Sequence, residues 1–322
     1  MNGATGFAFW RNGLALALGA LIATALALRA VHNDYAFYLG YIVFQYAALA
    51  IAWNILGGYA GFVNFGAGAF FAAGAYTTVA LNKALALPLP LCVLAGGFTG
   101  AALGLIMGSL TLRLRGVYFA ISTLSLSVVL QTLVVNWTYV GGSSGAYIVR
   151  PKAIPLFASY TEFLCLLMFA IAATAALVAA AIERSSIGMG LAAIRDDETA
   201  AAAVGVPTLR LKVLAATTSG AIMGMAGAPL PFYNSYLNPD SAFAIGYTVN
   251  AMAMPLVGGT QTWLGPVIGA ALLGSIQQLA VAFISSSASL VLIGLVFMGF
   301  VALAPQGLIG LLRSSRATRA SR

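Results

Sequence analysis

The sequence predicts an all-α integral membrane protein, a polytopic bundle of about ten transmembrane helices with the N-terminus and the C-terminus in the cytoplasm. Of its 322 residues, 61% are hydrophobic and only 7% are charged, whereas a soluble domain carries about 25% charged residues. Several apolar runs are long enough to cross a bilayer core, which takes roughly 20 residues. These runs are continuous and not alternating, which argues against a transmembrane β-barrel.

The predicted spans follow one another without a linker to any soluble domain, so residues 1–322 form a single transmembrane domain. The first run also resembles a signal peptide, but we expect it to be retained as a helix because Arg11 alone makes a thin basic segment before it. The run at 243–256 is short and the run at 61–81 is rich in glycine, so both are candidates for broken or re-entrant helices. The spans are Leu14–Leu28, Phe37–Leu56, Gly61–Leu81, Pro88–Leu110, Val117–Val135, Thr161–Ile182, Val213–Tyr233, Phe243–Leu256, Gly265–Ile284 and Ser289–Ala304.

The charges of the loops orient this bundle. With the N-terminus inside and ten alternating spans, the cytoplasmic segments hold eleven Arg and Lys residues and the outer segments hold four. This asymmetry follows the positive-inside rule and makes residues 305–322 a basic cytoplasmic tail. The net charge of +8 is thereby explained without a basic face, so we expect no nucleic acid as a partner.

The residue inventory does not support catalysis. His32 is the single histidine, so neither a histidine metal pair nor a Ser-His-Asp set can be assembled. Both cysteines, Cys92 and Cys165, lie in apolar runs and are expected to be small buried side chains, and the sequence contains no phosphate-loop motif. We therefore expect no enzyme activity, no metal and no cofactor. Glu162 is the one acid that borders a span, which weakens the alternative of a gradient-driven secondary carrier.

The cytoplasmic loop at about 183–212 is the most informative polar segment. It predicts a short helix, because Asp196 or Asp197 can cap its N-terminus, Gly205 suits its C-terminal end and Pro207 stops continuation. The alanines at 200–203 give this helix a small, smooth face for another protein. Two alternatives stay open: an amphipathic connector lying on the membrane, and a metal-binding acidic cluster of a membrane enzyme at 196–198.

Glycine-rich breaks interrupt the apolar sequence in both halves, at 57–69 and at 257–270. Aligned without gaps, Gly57 matches Gly258 and Gly58 matches Gly259, and the first break also carries the amide of Asn64. Broken helices in both halves are typical of a solute path, so these five residues are candidates for a translocation pathway. Close helix packing is the alternative explanation. The outer loop at 136–155 is either a connector or a segment that binds a partner.

An ordered set of motifs extends from about Trp53 to Leu312. It comprises Asn54–Gly61, Asn64–Gly66, Ala69–Thr77, Tyr118–Leu124, Gly141–Gly145, Ala193–Glu198, Asn238–Ser241, Val257–Gly259, Trp263–Ala270 and Pro305–Leu308. This set resembles the LivM-type permease of branched-chain amino acid ABC importers. The resemblance implies a permease subunit in the bacterial inner membrane that forms half of the translocation pathway of an ATP-driven importer.

The resemblance also implies partners and a coupling site. The partners are a second homologous permease subunit, two ABC ATPase subunits, a periplasmic solute-binding protein and the lipid bilayer. Branched-chain amino acids are the expected substrate; Asn64, Ala67 and Met189 differ from the residues common in the family, so urea, amides or aromatic acids stay open as substrates. The cytoplasmic loop is similar to the segment that couples such permeases to the ATPase, which assigns that role to Ile194, Arg195, Asp196, Asp197, Glu198, Ala200, Ala201 and Gly205.

Overall fold

A computed structural model describes residues 34–114, 116–150, 157, 159–283, 294, 295, 298, 299, 307 and 308. The predicted span Leu14–Leu28 lies outside the described residues. So do most of Ser289–Ala304 and most of the basic tail. The described helices are α1 Asp34–Ala60, α2 Ala67–Leu85, α3 Leu89–Thr111, α4 Val117–Val135, α5 Tyr160–Glu183, α6 Ser186–Asp196, α7 Glu198–Ala203, α8 Thr208–Gly227, α9 Leu230–Asn234, α10 Pro239–Ala242, α11 Ile245–Gly258 and α12 Leu264–Phe283.

Six helical stretches in the described part are long and apolar enough to cross a membrane, which confirms an all-α membrane protein. They are Tyr35–Ala60, Leu89–Thr111, Val117–Val135, Tyr160–Glu183, Thr208–Asn234 and Pro239–Gly258, and Leu264–Ala280 is a shorter apolar helix. Helix α2 is not among the six. It carries Thr77, Thr78 and Lys83, and the other helices bury most of its length, so it needs less apolar surface than a lipid-facing helix.

Several helix boundaries differ from the prediction. Helix α2 begins at Ala67 and not at Gly61, because residues 61–66 form an irregular segment. The predicted span Val213–Tyr233 begins earlier, at Thr208, and is divided near Pro229 into α8 and α9. Proline lacks the amide proton that a continuous helix would use there. The predicted span Phe243–Leu256 corresponds to α11, with the one-turn helix α10 before it.

A glycine seam joins α3 to α8 in the interior. A Cβ atom added at Gly100 would lie 2.1 Å from the carbonyl oxygen of Gly220, and one added at Gly104 would lie 2.5 Å from that of Ala216. The α3 glycines recur every four residues, so they share one helix face. Small residues at this spacing let transmembrane helices approach to backbone contact. The seam glycines of α3 are Gly96, Gly100, Gly104 and Gly108.

The end of the bundle where α2 ends and α5 begins carries a small ribbon, and we call it the ribbon end. Strand β1 (Ala146–Tyr147) pairs antiparallel with β2 (Tyr236–Leu237). This two-residue sheet was not predicted. Arg150 Nε donates to the Phe232 carbonyl at 2.7 Å. The described part of the predicted outer loop is therefore held to the chain after α8.

Candidate coupling junction

The segment between α1 and α2 folds back along α1. Trp53 Nε1 donates to the Asn64 carbonyl at 2.9 Å, although Trp53 lies seven residues before the end of α1, or about 10 Å along a helix. Asn64 Oδ1 accepts from Gly66 N at 2.8 Å, and Phe65 N donates to Thr123 Oγ1 at 3.0 Å. Non-helical backbone at membrane depth is tolerated where protein buries it. We call residues 61–66 the re-entrant segment, because the chain turns back along α1 here and starts α2 beside the body of α1.

Helix α11 begins next to the start of α2. Gly68 N donates to Thr248 Oγ1 at 2.9 Å, and the rings of Phe71 and Tyr247 lie 4.3 Å apart between centroids. Helix α11 has 14 residues, about 21 Å, which is shorter than a hydrocarbon core of about 30 Å. The two segments singled out as broken or re-entrant therefore start side by side.

The two glycine breaks contact each other at the far end of α1. Asn54 Nδ2 donates to the Thr262 carbonyl at 3.5 Å, and a Cβ atom added at Gly58 would lie 2.6 Å from the Thr260 carbonyl oxygen. Gly259 has φ +117°, a backbone conformation that favours glycine. Three segments meet here, Asn54–Gly61, Glu183–Asp196 and Gly259–Trp263. We call this meeting place the junction.

The other candidate pathway residues have specific neighbours. A Cβ atom added at Gly57 would overlap the Trp53 ring at 2.5 Å, and one added at Gly258 would lie 1.8 Å from the Gly265 carbonyl oxygen. Asn64 is 2% exposed and holds the re-entrant segment. At Gly258 the close neighbour belongs to the next long helix, α12, as the packing explanation expects, whereas at Gly57 it is a side chain of α1 itself.

The predicted coupling segment forms two helices where one was expected. Ser185 Oγ caps α6 by accepting from Gly188 N, and Asp197 Oδ1 caps α7 by accepting from Thr199 N at 2.8 Å and Ala200 N at 3.1 Å. Gly205 follows α7 with φ +89°. Asp196 and Asp197 were both predicted as possible caps, and the structure selects Asp197. The position of Gly205 after the helix was predicted, whereas α6 was missed because glycines at 188 and 190 lower its helix propensity.

Arg195 joins the coupling segment to the first break. Its Nη1 atom donates to the Gly58 carbonyl at 3.4 Å, and a Cβ atom added at Gly61 would lie 3.0 Å from its Cγ atom. Ile194 and Ala201, each 4% exposed, anchor α6 and α7 to the bundle. The Asp196 side chain is 75% exposed, and Ala200 is exposed, so the segment has one face on the bundle and another turned away from it.

A cavity of about 480 Å³ opens beside the junction. The re-entrant segment, the start of α4 and the end of α6 form its walls, and Arg195 and Glu198 line it. The charged side chains of the coupling segment therefore border the same space as the re-entrant segment.

The three consecutive acids do not form a metal cluster. Asp196 pairs with Arg195, Asp197 caps α7, and Glu198 Oε1 bonds Lys212 Nζ at 2.6 Å. Within the described residues, no group of three or more His, Cys, Asp or Glu side chains is placed to hold a metal ion. Each of the acids at 196–198 therefore has a partner within the chain.

Comparison with known proteins identifies the family. A family model described as "Branched-chain amino acid transport system / permease component" matches residues 35–301. The chain belongs to this family. The resemblance seen in the motifs is thereby confirmed. No solved structure matches the chain.

Individual relatives agree with the family. The chain is 28% identical over 293 residues to the high-affinity branched-chain amino acid transport system permease protein LivM of Escherichia coli (strain K12), covering 83% of this chain and 68% of the relative. It is 24% identical over 294 residues to the corresponding LivH proteins of Salmonella typhimurium and of Escherichia coli (strain K12), covering 82% of this chain and 91% of each relative. The chain is therefore a permease of this family.

Three polar residues that make long-range contacts in the structure were not named as site residues in the sequence analysis. Lys212, 3% exposed, donates to Glu198 Oε1 and to the Leu112 carbonyl at 2.7 Å. Glu183 Oε2 accepts from Trp263 N at 2.8 Å and from Tyr59 Oη at 3.4 Å. Thr248 joins the starts of α2 and α11. In the sequence, Lys212 and Glu183 belong to the cytoplasmic loop at about 183–212. The signal that separates them from other loop charges is a hydrogen bond to a distant residue, which local sequence does not show.

Proposed function

We propose that this chain is a transmembrane permease subunit of an ATP-driven ABC importer for branched-chain amino acids. The observation that carries the proposal is the family match over residues 35–301. The named relatives are permease proteins of high-affinity branched-chain amino acid transport systems.

The chain forms half of the translocation pathway, and a second homologous permease subunit forms the other half. Two different permease proteins, LivM and LivH, come from the same Escherichia coli strain, and this chain is similar to both, which supports a paired arrangement. Helix α4 supports it too. Only 11% of its most apolar stretch is buried, against 39–67% in the other five spans. Helix α4 therefore offers an exposed apolar surface on which a second subunit can pack.

The coupling segment docks on an ATPase subunit, and the glycine breaks border the solute path. In this scheme Asp196, Ala200 and Val204 face the ATPase. Their exposure to solvent supports this docking face, and Val204 is 80% exposed. Gly57, Gly58, Asn64, Gly258 and Gly259 lie where re-entrant backbone and short helices meet, which is typical of solute sites in transporters.

The chain has about ten spans, with both termini in the cytoplasm of a bacterial inner membrane. Gly307 packs on Gly259, beside the junction, which supports a C-terminus on the same side as the coupling segment.

The test is purification of the tagged chain from its native membrane, followed by reconstitution of everything that co-purifies. We expect two ATPase subunits, a second permease and, when added, a periplasmic binding protein that drives ATP-dependent leucine uptake into vesicles. Uptake of urea, an amide or an aromatic acid in place of leucine would correct the substrate alone. A chain that transports without an ATPase would refute the importer and establish a secondary carrier.

A further inference from the structure

The Glu183 carboxylate joins three separate parts of the junction. It is the last residue of α5, its Oε2 atom accepts the backbone N–H of Trp263 at 2.8 Å, and it accepts the hydroxyl of Tyr59 at 3.4 Å. Trp263 directly precedes α12 and Tyr59 lies in the last turn of α1. One side chain thus connects the end of α5 to the start of α12 and the end of α1.

At α12 the carboxylate acts as a cap supplied by another helix. The N–H groups at the start of a helix have no partner within the helix, and a negative charge is favourable there. Within the described part of the chain, the segment Gly259–Trp263 has one further side-chain bond to the bundle, from Asn54 to the Thr262 carbonyl. Glu183 is therefore a principal attachment of the second glycine break.

On its other side, Glu183 is tightly connected to the coupling segment. Ser185 Oγ donates back to the Ile182 carbonyl at 2.8 Å while it caps α6. A Cβ atom added at Gly188 would lie 2.3 Å from the same carbonyl oxygen. Helix α6 is thus packed onto the end of α5. We therefore expect a movement of α6 to move the Glu183 carboxylate as well.

We infer that Glu183 is a positioning residue that transmits displacement of the coupling segment to the second glycine break and α12. The inference rests on the proposed function, since the displacement comes from the ATPase. The carboxylate acts through its Oε2 atom as a hydrogen-bond acceptor. Its role differs from that of Arg195, which contacts the first break.

A distance measurement tests the contact independently of transport. Spin labels at Met189→Cys and Gln261→Cys, both at exposed positions, report the separation of α6 from the second break, in a background where the buried Cys92 and Cys165 are replaced by alanine. We expect one narrow distance distribution that is unchanged by a non-hydrolysable ATP analogue in the assembled complex. Glu183→Ala should broaden this distribution, and Glu183→Gln should restore it because the amide oxygen still accepts both bonds.

A functional measurement in the same complex supplies the second readout. Glu183→Ala should lower leucine uptake per ATP hydrolysed by about tenfold, the cost of one lost charge-assisted hydrogen bond, while ATP hydrolysis changes little. Glu183→Gln should recover most of this ratio. The matched control is Asp240→Asn, an acid whose Oδ1 accepts from Gln131 Nε2 near the ribbon end, and it should leave the ratio unchanged.

Each remaining outcome decides the inference. An unchanged distance distribution and an unchanged uptake ratio in Glu183→Ala would overturn it, as would a Glu183→Gln variant as defective as the alanine variant. If the alanine variant does not assemble, Tyr59→Phe replaces it: a partial fall in the ratio supports the inference, and a wild-type ratio overturns it. Failure of ATP-driven uptake in the wild-type complex would instead refute the proposed function, and the spin-label distances would still test the contact.

Discussion

Lys212 is a buried cation at the point where α7, the end of α3 and the re-entrant segment meet. Its ammonium group bonds Glu198 and the Leu112 carbonyl and lies 4.9 Å from the centroid of the Phe62 ring. A buried charge is tolerated when it is paired and hydrogen-bonded, and these contacts meet that condition. The pair therefore fixes α7 against the bundle while leaving the opposite face of α7 exposed.

At the residue scale, we predict that Lys212→Met destabilises the chain. Removing one partner of a buried ion pair costs about 3–5 kcal/mol, and because the Glu198 side chain is 16% exposed, we expect about 2–3 kcal/mol here. The free energy of unfolding in an SDS titration of the purified chain measures this loss. Lys83→Met is the control, since Lys83 is exposed and donates to the Tyr139 carbonyl near the ribbon end. Equal losses in the two variants would contradict the assigned role of Lys212.

Among the elements, the α3–α8 seam is the most extensive helix pairing in the described fold. Its glycines recur at four-residue spacing along α3, and each is matched by Ala216, Gly220 or Gly224 of α8. Lipid tails are as apolar as leucine side chains, so burial of apolar surface does little to drive helix association in a membrane. Backbone contact and van der Waals packing do this instead. The seam is thus expected to contribute strongly to the stability of the bundle.

At the element scale, we predict opposite effects for two glycine-to-alanine changes. Gly100→Ala places a methyl group 2.1 Å from a backbone oxygen and should cost about 1–3 kcal/mol by overpacking. Gly274→Ala, within α12, meets nothing nearer than Val43 Cγ2 at 3.6 Å, so its gain in helix propensity of up to about 1 kcal/mol should remain. The same unfolding titration compares the two variants. A neutral Gly100→Ala variant would show that the seam is looser than described.

The basic residues are distributed unequally between the two ends of the molecule. Arg113, Arg184, Arg195 and Arg210 belong to segments near the junction, whereas Lys83 and Arg150 lie near the ribbon end. The described structure therefore retains the charge asymmetry that oriented the spans. This distribution supports a cytoplasmic junction under the positive-inside rule.

At the scale of the whole molecule, we predict the sidedness of the two ends. Tyr147→Cys near the ribbon end, where Tyr147 is 82% exposed, should react with a membrane-impermeant thiol reagent in intact cells. Met189→Cys, at a position that is 69% exposed, should react only after permeabilisation. Cys92 and Cys165 are buried, so the background labelling should be low. The reverse pattern would invert the topology and place the coupling segment on the wrong side for a cytoplasmic ATPase.

The sequence by itself determined the class of the protein and its local structure. Hydropathy runs identified the described spans, because the length and apolarity of a membrane helix are properties of contiguous residues. A cap at Asp196 or Asp197 and the end of α7 near Gly205 were also predictable, since capping involves residues only a few positions apart. The ordered motifs identified the family for the same reason, because they are stretches of consecutive residues.

The tertiary structure alone decided how these pieces meet. Glu183 and Trp263 are 80 positions apart, and Lys212 bonds the Leu112 carbonyl across 100 positions. Such contacts depend on the packing order of the helices, which no local propensity encodes. The moderately polar helix α2 became a buried helix for the same reason. The two glycine breaks could be aligned in sequence, but only the packing of α1 against the start of α12 brought them together with the coupling segment.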